Sequence, residues 1–587
     1  MTWQTPPSLM RFCREILPLL HRHIDGKRLL ETVASIVETD RWNSFDRFHD
    51  TTQTLVRHYE EAGATVEVTP LQTGGRIGSG RWIIHEAADV HAARVDIVHP
   101  VQERVLDYQN NPWHVIQWSA ATPREGMKNE MVILDSQEEL ERIPPGGLAG
   151  KIVLTRMDPR PHLQRLADTE AVGVITDRPV KGLPEATAWT KFGWGGVPLA
   201  HAALHLVGLV LSADEGERLR KMAQKHGKLT LHTKVDIRKY VGTHDVVSGI
   251  IRGAIDSQDE LWVLAHSSEP GALDNASGVA LCIEVARVLE GLIAEGLLRR
   301  PRRSIRLLHA YECYGFFKYL EDVKRLQTPL AGVVVDTVGS KLEVCDGRLE
   351  WHATIPMSAG FVDRVGEKII QEALALDNPG YQLFVEPFMS TSDTLIGDPK
   401  YGFPAPWLTT HYRDKNVASD AYHSSGDTLE LVSADGLAAC TAAMAGYLYF
   451  LANADSKDVV ELATAETDWT LNQLKLSAVE ANYLREGHRE TIKRLKRWLW
   501  GGDQAEIMNH LDECERQVRE VAGNGKLALK DGVPGASRIP HRKAVLSPDW
   551  GNNTHADVKA KMEDAKLKPW ALFWADGNRR IDEIAEL

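Results

Sequence analysis

The chain has 587 residues, 43% hydrophobic and 25% charged, with a formal charge of −13 from 68 basic and 81 acidic side chains. That is enough apolar material for roughly three or four domains and too much for a disordered chain. The acidic balance argues against a nucleic-acid surface, which needs a concentrated excess of Lys and Arg, and favours small molecules or peptides as partners.

Arg11, Arg14, Arg22 and Lys27 interrupt the apolar residues of the first thirty positions, so no secretory-signal core is read there. Later stretches fall short of the ~18 apolar residues of a membrane span. The six cysteines are widely spaced with no CxxC pair, which reads as reduced thiols. A cytoplasmic protein with no membrane partner is the expectation.

From Leu9 to about Glu61, Phe12, Ile16, Leu19, Leu20, Phe48, Leu55 and Tyr59 recur at helical spacing. ATVEVTPL then alternates as a strand, so residues 1–131 read as helices opening an α/β domain. Between 132 and 239 short β runs are punctuated by Gly and Pro, as in GLAGKIVLTRM, AVGVITD and GGVPLAHAAL, with a helix around Asp214 to Lys225. This predicts a small inserted β-rich domain, the alternative being further strands of the main sheet. Over 240–455, apolar strands (DVVSGIIRGAI, ELWVLAHSS, SIRLLHAYE, LAGVVVDTVG) alternate with helices near 277–291 and 316–325. That pattern predicts a mixed, mostly parallel sheet with helices on both faces. Residues 456–587 read as a helical region with a Trp-rich stretch, KRLKRWLWGG, and a tail that suits a small helical or winged-helix cap. The exposed tryptophans expected there suggest a homo-oligomer interface.

Three strands of the 240–455 segment end on residues suited to metal chemistry: His266 after WVLA, Glu312 after LLHAY and Asp336 after GVVV. In open α/β sheets the carboxyl ends of strands form the ligand crevice, so these side chains should converge. PGALDNASG presents Asp274 on a turn that opens a helix; taken alone, DNASG is an ordinary helix cap. His423 lies in a polar loop, DAYHSSGD. HEAADVH, with His85 and His91 six apart, lacks the spacing of a helical zinc pair.

The order of VLAHSSEPGALDNASGVALCIEVAR, RRSIRLLHAYECYGFFKYL, GVVVDTVGS, STSDTLIGDPKYGFPAPWL and YHSSGDTLEL resembles the zinc aminopeptidase family whose relatives include glutamate carboxypeptidase, the transferrin-receptor ectodomain and glutaminyl cyclase. The segment 132–239 resembles the protease-associated insert of many members. The resemblance implies that His266 and Asp336 hold one zinc, His423 holds a second, Asp274 bridges them and Glu312 is the general base. It also implies that Ser392, Asp393 and Tyr422 contact substrate or support the ligands. The substrate implied is a peptide or small amide.

Two departures stand out. Relatives carry a pair of glutamates, of which the second is a zinc ligand, where this chain has Glu312 and Cys313. They also carry an Asp two residues after the first zinc-binding His, where this chain has Ser268. Cys313 is either a thiolate ligand or a buried small side chain. A mononuclear site is then open, and with it a non-peptidic amidase or cyclase, or a binding protein without catalysis.

Overall fold

Helical spacing near the amino terminus resolves into α1 (Pro7–Glu15), α2 (Leu17–Arg22), α3 (Gly26–Asp40) and α4 (Phe45–Glu61). Asp25 caps α3, its carboxylate accepting the Lys27 and Arg28 N–H groups at 2.9 and 3.2 Å. The computed structural model describes residues 3–585 except 75–83, 194–204, 256–257, 313, 323–327, 356–357, 359, 390–402, 411–419, 477–480, 501–503, 524–536, 541–573, 576 and 578.

After β1 (Thr65–Gln72) the chain builds a second sheet from β2 (Ala87–His99), β3 (Glu103–Asp107), β4 (Met127–Ile133), β5 (Ile152–Thr155), β6 (Gly173–Thr176), β7 (Val207–Val210) and β8 (Thr230–Tyr240). Its order is β3-β2-β8-β4-β5-β6-β7. This sheet takes in strands on both sides of residue 132: β2 lies beside β8, pairing from Ala87↔Tyr240 to His99↔Thr230. β2 (AADVHAARVDIVH) mixes apolar and charged residues much as its flanks do, so no composition shift separates it from the preceding domain. Helices α5 (Gln137–Arg142), α6 (Leu163–Asp168) and α7 (Ala213–His226) complete this unit. Ser136 with Glu139 and Ser212 with Glu215 form capping boxes on α5 and α7.

The chain then returns to the main sheet with β9 (Thr243–Ile251), β10 (Glu260–Leu264), β11 (Ser304–His309), β12 (Pro329–Val335), β13 (Arg348–His352), β14 (Gln382–Glu386) and β15 (Trp407–Thr409), in the order β1-β9-β11-β10-β12-β15-β13-β14. The centre, β11-β10-β12-β15, is parallel. In β10, Leu261 and Val263 enter one core and Trp262 and Leu264 the other, the two-residue period of a strand covered on both sides. On one face lie α3, α8 (Ala276–Ala294), α11 (Phe361–Leu376) and α12 (Ala434–Asn453). On the other lies α9 (Tyr314–Asp322), through Phe316, Phe317 and Tyr319. The short α10 (Leu342–Cys345) precedes β13.

Helix α12 is long and apolar enough to cross a membrane, which the sequence reading did not anticipate; most of it is buried in this core, as for the central helix of a globular domain. Beyond it, α13 (Ser456–Leu476), α14 (Ala481–Arg497) and α15 (Ala505–Ala522) pack on one another. The tryptophans expected at an interface divide: Trp500 is exposed, but Trp498 is buried edge-on against Phe361, its Nε1 donating to the Leu451 carbonyl at 3.1 Å. Trp498 fastens the helical region to the main domain. Of the expected winged-helix cap, the described part is the short helix Ile581–Ala585 with its flanking residues.

Candidate metal centre

The parallel strands β11, β10 and β12 are neighbours, so the residues just beyond their carboxyl ends meet: Glu312, His266 and Asp336. His266 is buried, with Nε2 3.2 Å from Asp274 Oδ1 and 3.6 Å from Asp336 Oδ1. His423 Nε2 lies 3.3 Å from Asp274 Oδ2, so the two carboxylate oxygens of Asp274 face the two histidines. Four of the residues singled out as ligands are thereby brought together around Asp274.

The fifth donor was missed. Glu269, three residues after His266 in HSSEPG, is buried with Oε1 3.0 Å from His423 Nε2 and Oε2 3.5 Å from His266 Nδ1. Two donor sets result, His266–Asp274–Asp336 and Glu269–Asp274–His423, each with one donor atom per residue and all atoms of a set within 4.8 Å of one another. The sequence signal available was an acid three positions beyond a strand-end histidine, but a loop's course is set by tertiary packing and the spacing alone does not fix it.

Several groups hold this geometry. Asn275 caps α8 by accepting the Gly278 N–H, its amide donates to the Val335 carbonyl, and the Asp274–Asn275 peptide is cis. The buried Asp427 accepts N–H groups from Leu273 and Asp274 at 2.8 and 3.1 Å, which ties the Asp274 turn to the loop that carries His423. Where relatives place an orienting Asp, Ser268 adopts φ 65°; its N–H donates to Asp40 at 2.9 Å and its hydroxyl pairs with His244. The ring of Tyr422 stacks on His423 with centroids 3.8 Å apart. Ser392, Asp393 and Cys313 lie outside the described residues.

The electrostatics follow from crowding carboxylates away from water. Burial pushes the Glu269 carboxyl up to about 8, aided by the charges of Asp274 and Glu312. Burial also pushes Asp427 up to about 7. Burial acts the same way on Asp274, yet hydrogen bonds from His266 and His423 outweigh it and hold that carboxyl well below its usual range. His423 is raised to about 9 because Asp274 and Glu269 outweigh its burial. A site that concentrates Asp and Glu oxygens and two imidazoles in this way suits a divalent cation, and zinc takes such N and O donors.

Glu312 stands apart from both donor sets. Its Oε2 lies 3.5 Å from the Nζ of Lys191, and its charge acts on Glu269, Asp336 and Tyr422, which places it within the same field.

Among solved structures the chain is similar to a peptidase M28 precursor from Shewanella amazonensis, with TM-score 0.53 and 15% identity over 76% of this chain and 97% of that one. It has the fold of the zinc aminopeptidases. A putative peptidase from Clostridium acetobutylicum superposes with TM-score 0.52 and 17% identity, covering 76% of this chain and 84% of its own. A zinc aminopeptidase from Bacillus subtilis gives TM-score 0.52 and 15% identity, covering 73% and 95%. No protein-family model matches the sequence, and no curated protein matches it. The aminopeptidase fold accounts for the placement of the donors at the strand ends.

Proposed function

We propose that the chain is a zinc-dependent hydrolase that cleaves an amide bond beside a free amino group, as an aminopeptidase does. The observation that carries this reading is the pair of donor sets sharing Asp274. His266 and Asp336 would hold one zinc, His423 and Glu269 a second, with Asp274 between them. Bound zinc supplies Lewis acidity toward the substrate carbonyl and makes water a better nucleophile at neutral pH. Glu312, outside both sets, is the group placed to take the proton from that water and hand it to the leaving amine. Tyr422, stacked on His423, keeps the imidazole plane fixed.

The mononuclear amidase or cyclase reading drew its motive from the missing second glutamate. Glu269 supplies a carboxylate from another loop, which removes that motive. A binding protein without catalysis would have no chemical use for Glu312 beside two complete donor sets.

The test is metal content per chain in the purified protein, followed by chelator titration of hydrolysis on a panel of aminoacyl 4-nitroanilides. Two zinc equivalents, activity lost with chelator and restored by zinc are expected. Full hydrolysis by a metal-free chain, or full zinc with no hydrolysis of any amide, overturns the reading.

A further inference from the structure

The second sheet's domain roofs the metal centre. Thr187 and Ser425 exchange hydrogen bonds, the Thr187 N–H reaching Ser425 Oγ and the Ser425 N–H reaching the Thr187 carbonyl, both at 2.9 Å. The Trp189 N–H donates to the His423 carbonyl at 2.7 Å, and its ring stands edge-on to the His423 imidazole at 4.9 Å. From the other side, Gln117 Nε2 donates to the Tyr311 hydroxyl at 2.5 Å, while the Gln117 N–H donates to the Thr190 carbonyl. The segment 187–191 is thus fixed to the loops that carry Glu312 and His423.

Lys191 ends this segment and is 5% exposed. Its Nζ sits 3.5 Å from Glu312 Oε2, 3.7 Å from the centre of the Trp189 ring and 6.0 Å from that of Tyr311. Lysine is seldom buried so fully, and a buried ion pair is a poor source of stability because desolvating both charges offsets their attraction. Holding two domains together does not require it, since the backbone bonds of 187–190 already do so. The ammonium is placed where the proposed chemistry occurs.

We propose that Lys191 is a catalytic residue: one of its N–H groups donates to the carbonyl oxygen of the scissile amide as that oxygen takes up negative charge. This rests on the amide-hydrolase reading above. An acceptor hydrogen-bonded to Nζ lies within roughly 6 Å of Glu312 Oε2, taking an N–H···O length of about 2.8 Å. That reach covers the bond beside the base and not the far end of a peptide, so the contact is with the reacting carbonyl and not with a remote substrate carboxylate. An ammonium carries three N–H donors on a rotatable head, so it can follow an acceptor as charge builds on it. Trp189 beneath the ammonium holds it by a cation–π contact, so the donor is in place before the charge develops. In the reaction the water oxygen bonds to the carbonyl carbon and the C–N bond breaks. The water proton passes through Glu312 to the leaving nitrogen, and Lys191 keeps its three protons throughout. The second domain then supplies part of the active site.

The experiment compares full-length, zinc-loaded wild type, Lys191→Gln and Lys191→Arg. It measures zinc per chain, thermal midpoint, kcat and KM on the aminoacyl 4-nitroanilide that wild type cleaves best, and calorimetric affinity for the matching phosphinic dipeptide and for the product amino acid. Lys191→Gln should lower kcat by about 10²–10³-fold, the range for loss of one oxyanion donor. Zinc content, thermal midpoint and product affinity should hold, KM should move only a few-fold, and affinity for the tetrahedral phosphinic mimic should fall in step with kcat. Lys191→Arg should recover part of both losses. Unchanged kcat overturns the proposal; so does a rise in KM alone, which makes Lys191 a substrate anchor, and so does loss of zinc or fold in both variants, which makes it structural. If zinc-loaded wild type cleaves no amide, the hydrolase reading fails and takes this proposal with it; an active wild type with an equally active Lys191→Gln sinks only the proposal.

Discussion

Glu269 carries the sharpest consequence for a single side chain. It lies three residues after His266, buried, with Oε1 3.0 Å from the His423 imidazole. If it completes the second donor set, Glu269→Gln exchanges an anionic oxygen for a weak amide ligand without changing the side chain's size. The variant should bind one zinc fewer than wild type, read as metal per chain after dialysis against a weak chelator. Glu312→Gln should keep the wild-type metal count and lose about 10²-fold or more in kcat, the scale of general acid–base catalysis. A Glu269→Gln variant with full zinc would return the second ligand to the undescribed Cys313. The contrast marks what the sequence could reveal. His266, Glu312 and Asp336 were legible because a strand's carboxyl end dictates where the next side chains go. Asp274 and His423 were legible because their loops match the aminopeptidase motifs. Glu269, Asp40, Asp427 and Lys191 were not, because each reaches the centre through packing of a loop or a helix end, which leaves no period in the sequence.

Between elements, one close approach that bears on stability is that of β9 and α4. Gly249 faces Tyr59, and a Cβ at Gly249 would meet the Tyr59 ring inside van der Waals distance. Tyr59 has little room to retreat: it is fully buried, its hydroxyl pairs with His309 Nε2 at 2.5 Å, and its ring stacks on that imidazole. Gly249→Ala should therefore destabilise by about 1–3 kcal/mol, the cost of forcing an extra methyl into a filled core. Urea denaturation of the metal-free variant measures it, and an unchanged midpoint would show that the strand can shift aside. The strands and helices read between 240 and 340 lie within a few residues of their expected places, since the continuous apolar runs of β10 and β11 and the helical spacing in α8 are local signals. What no local signal marks is the first strand of the second sheet. β2 belongs to β8, 153 residues away at its far end (Ala87↔Tyr240), and pairing over that separation is invisible to any local window.

On the scale of the molecule, the two sheets share a core. One hydrophobic cluster takes Phe45 and Phe48 from α4, Val95, Ile97, Val235 and Ile237 from the second sheet, and Val246, Trp262, Leu264 and Leu308 from the first. Tyr311, in the loop that leads to Glu312, lies in that cluster, packed against Phe45, Phe48 and His244. Among the described residues, the second domain's own cluster is smaller, built from Ile116, Leu140, Val153, Leu163, Val174 and Val210. Separating the sheets would bare the large shared cluster to water at roughly 25 cal/mol per Å² of apolar surface, which penalises any state with one sheet folded and the other free. Multidomain chains usually unfold in steps. Here the sheets should unfold together, and catalysis should be lost in the same transition because Lys191 and Glu312 face each other across the boundary. Urea titration followed in parallel by far-ultraviolet dichroism, tryptophan fluorescence and hydrolysis would test this. Coincident curves are expected, with native-state hydrogen exchange showing β2, β8, β10 and β11 protected to the same free energy. An intermediate that keeps β10–β12 protected while β2 and β8 exchange freely would show that the insert is an independent unit resting on the catalytic domain, and the shared core would then contribute little to holding the roof over the metal centre.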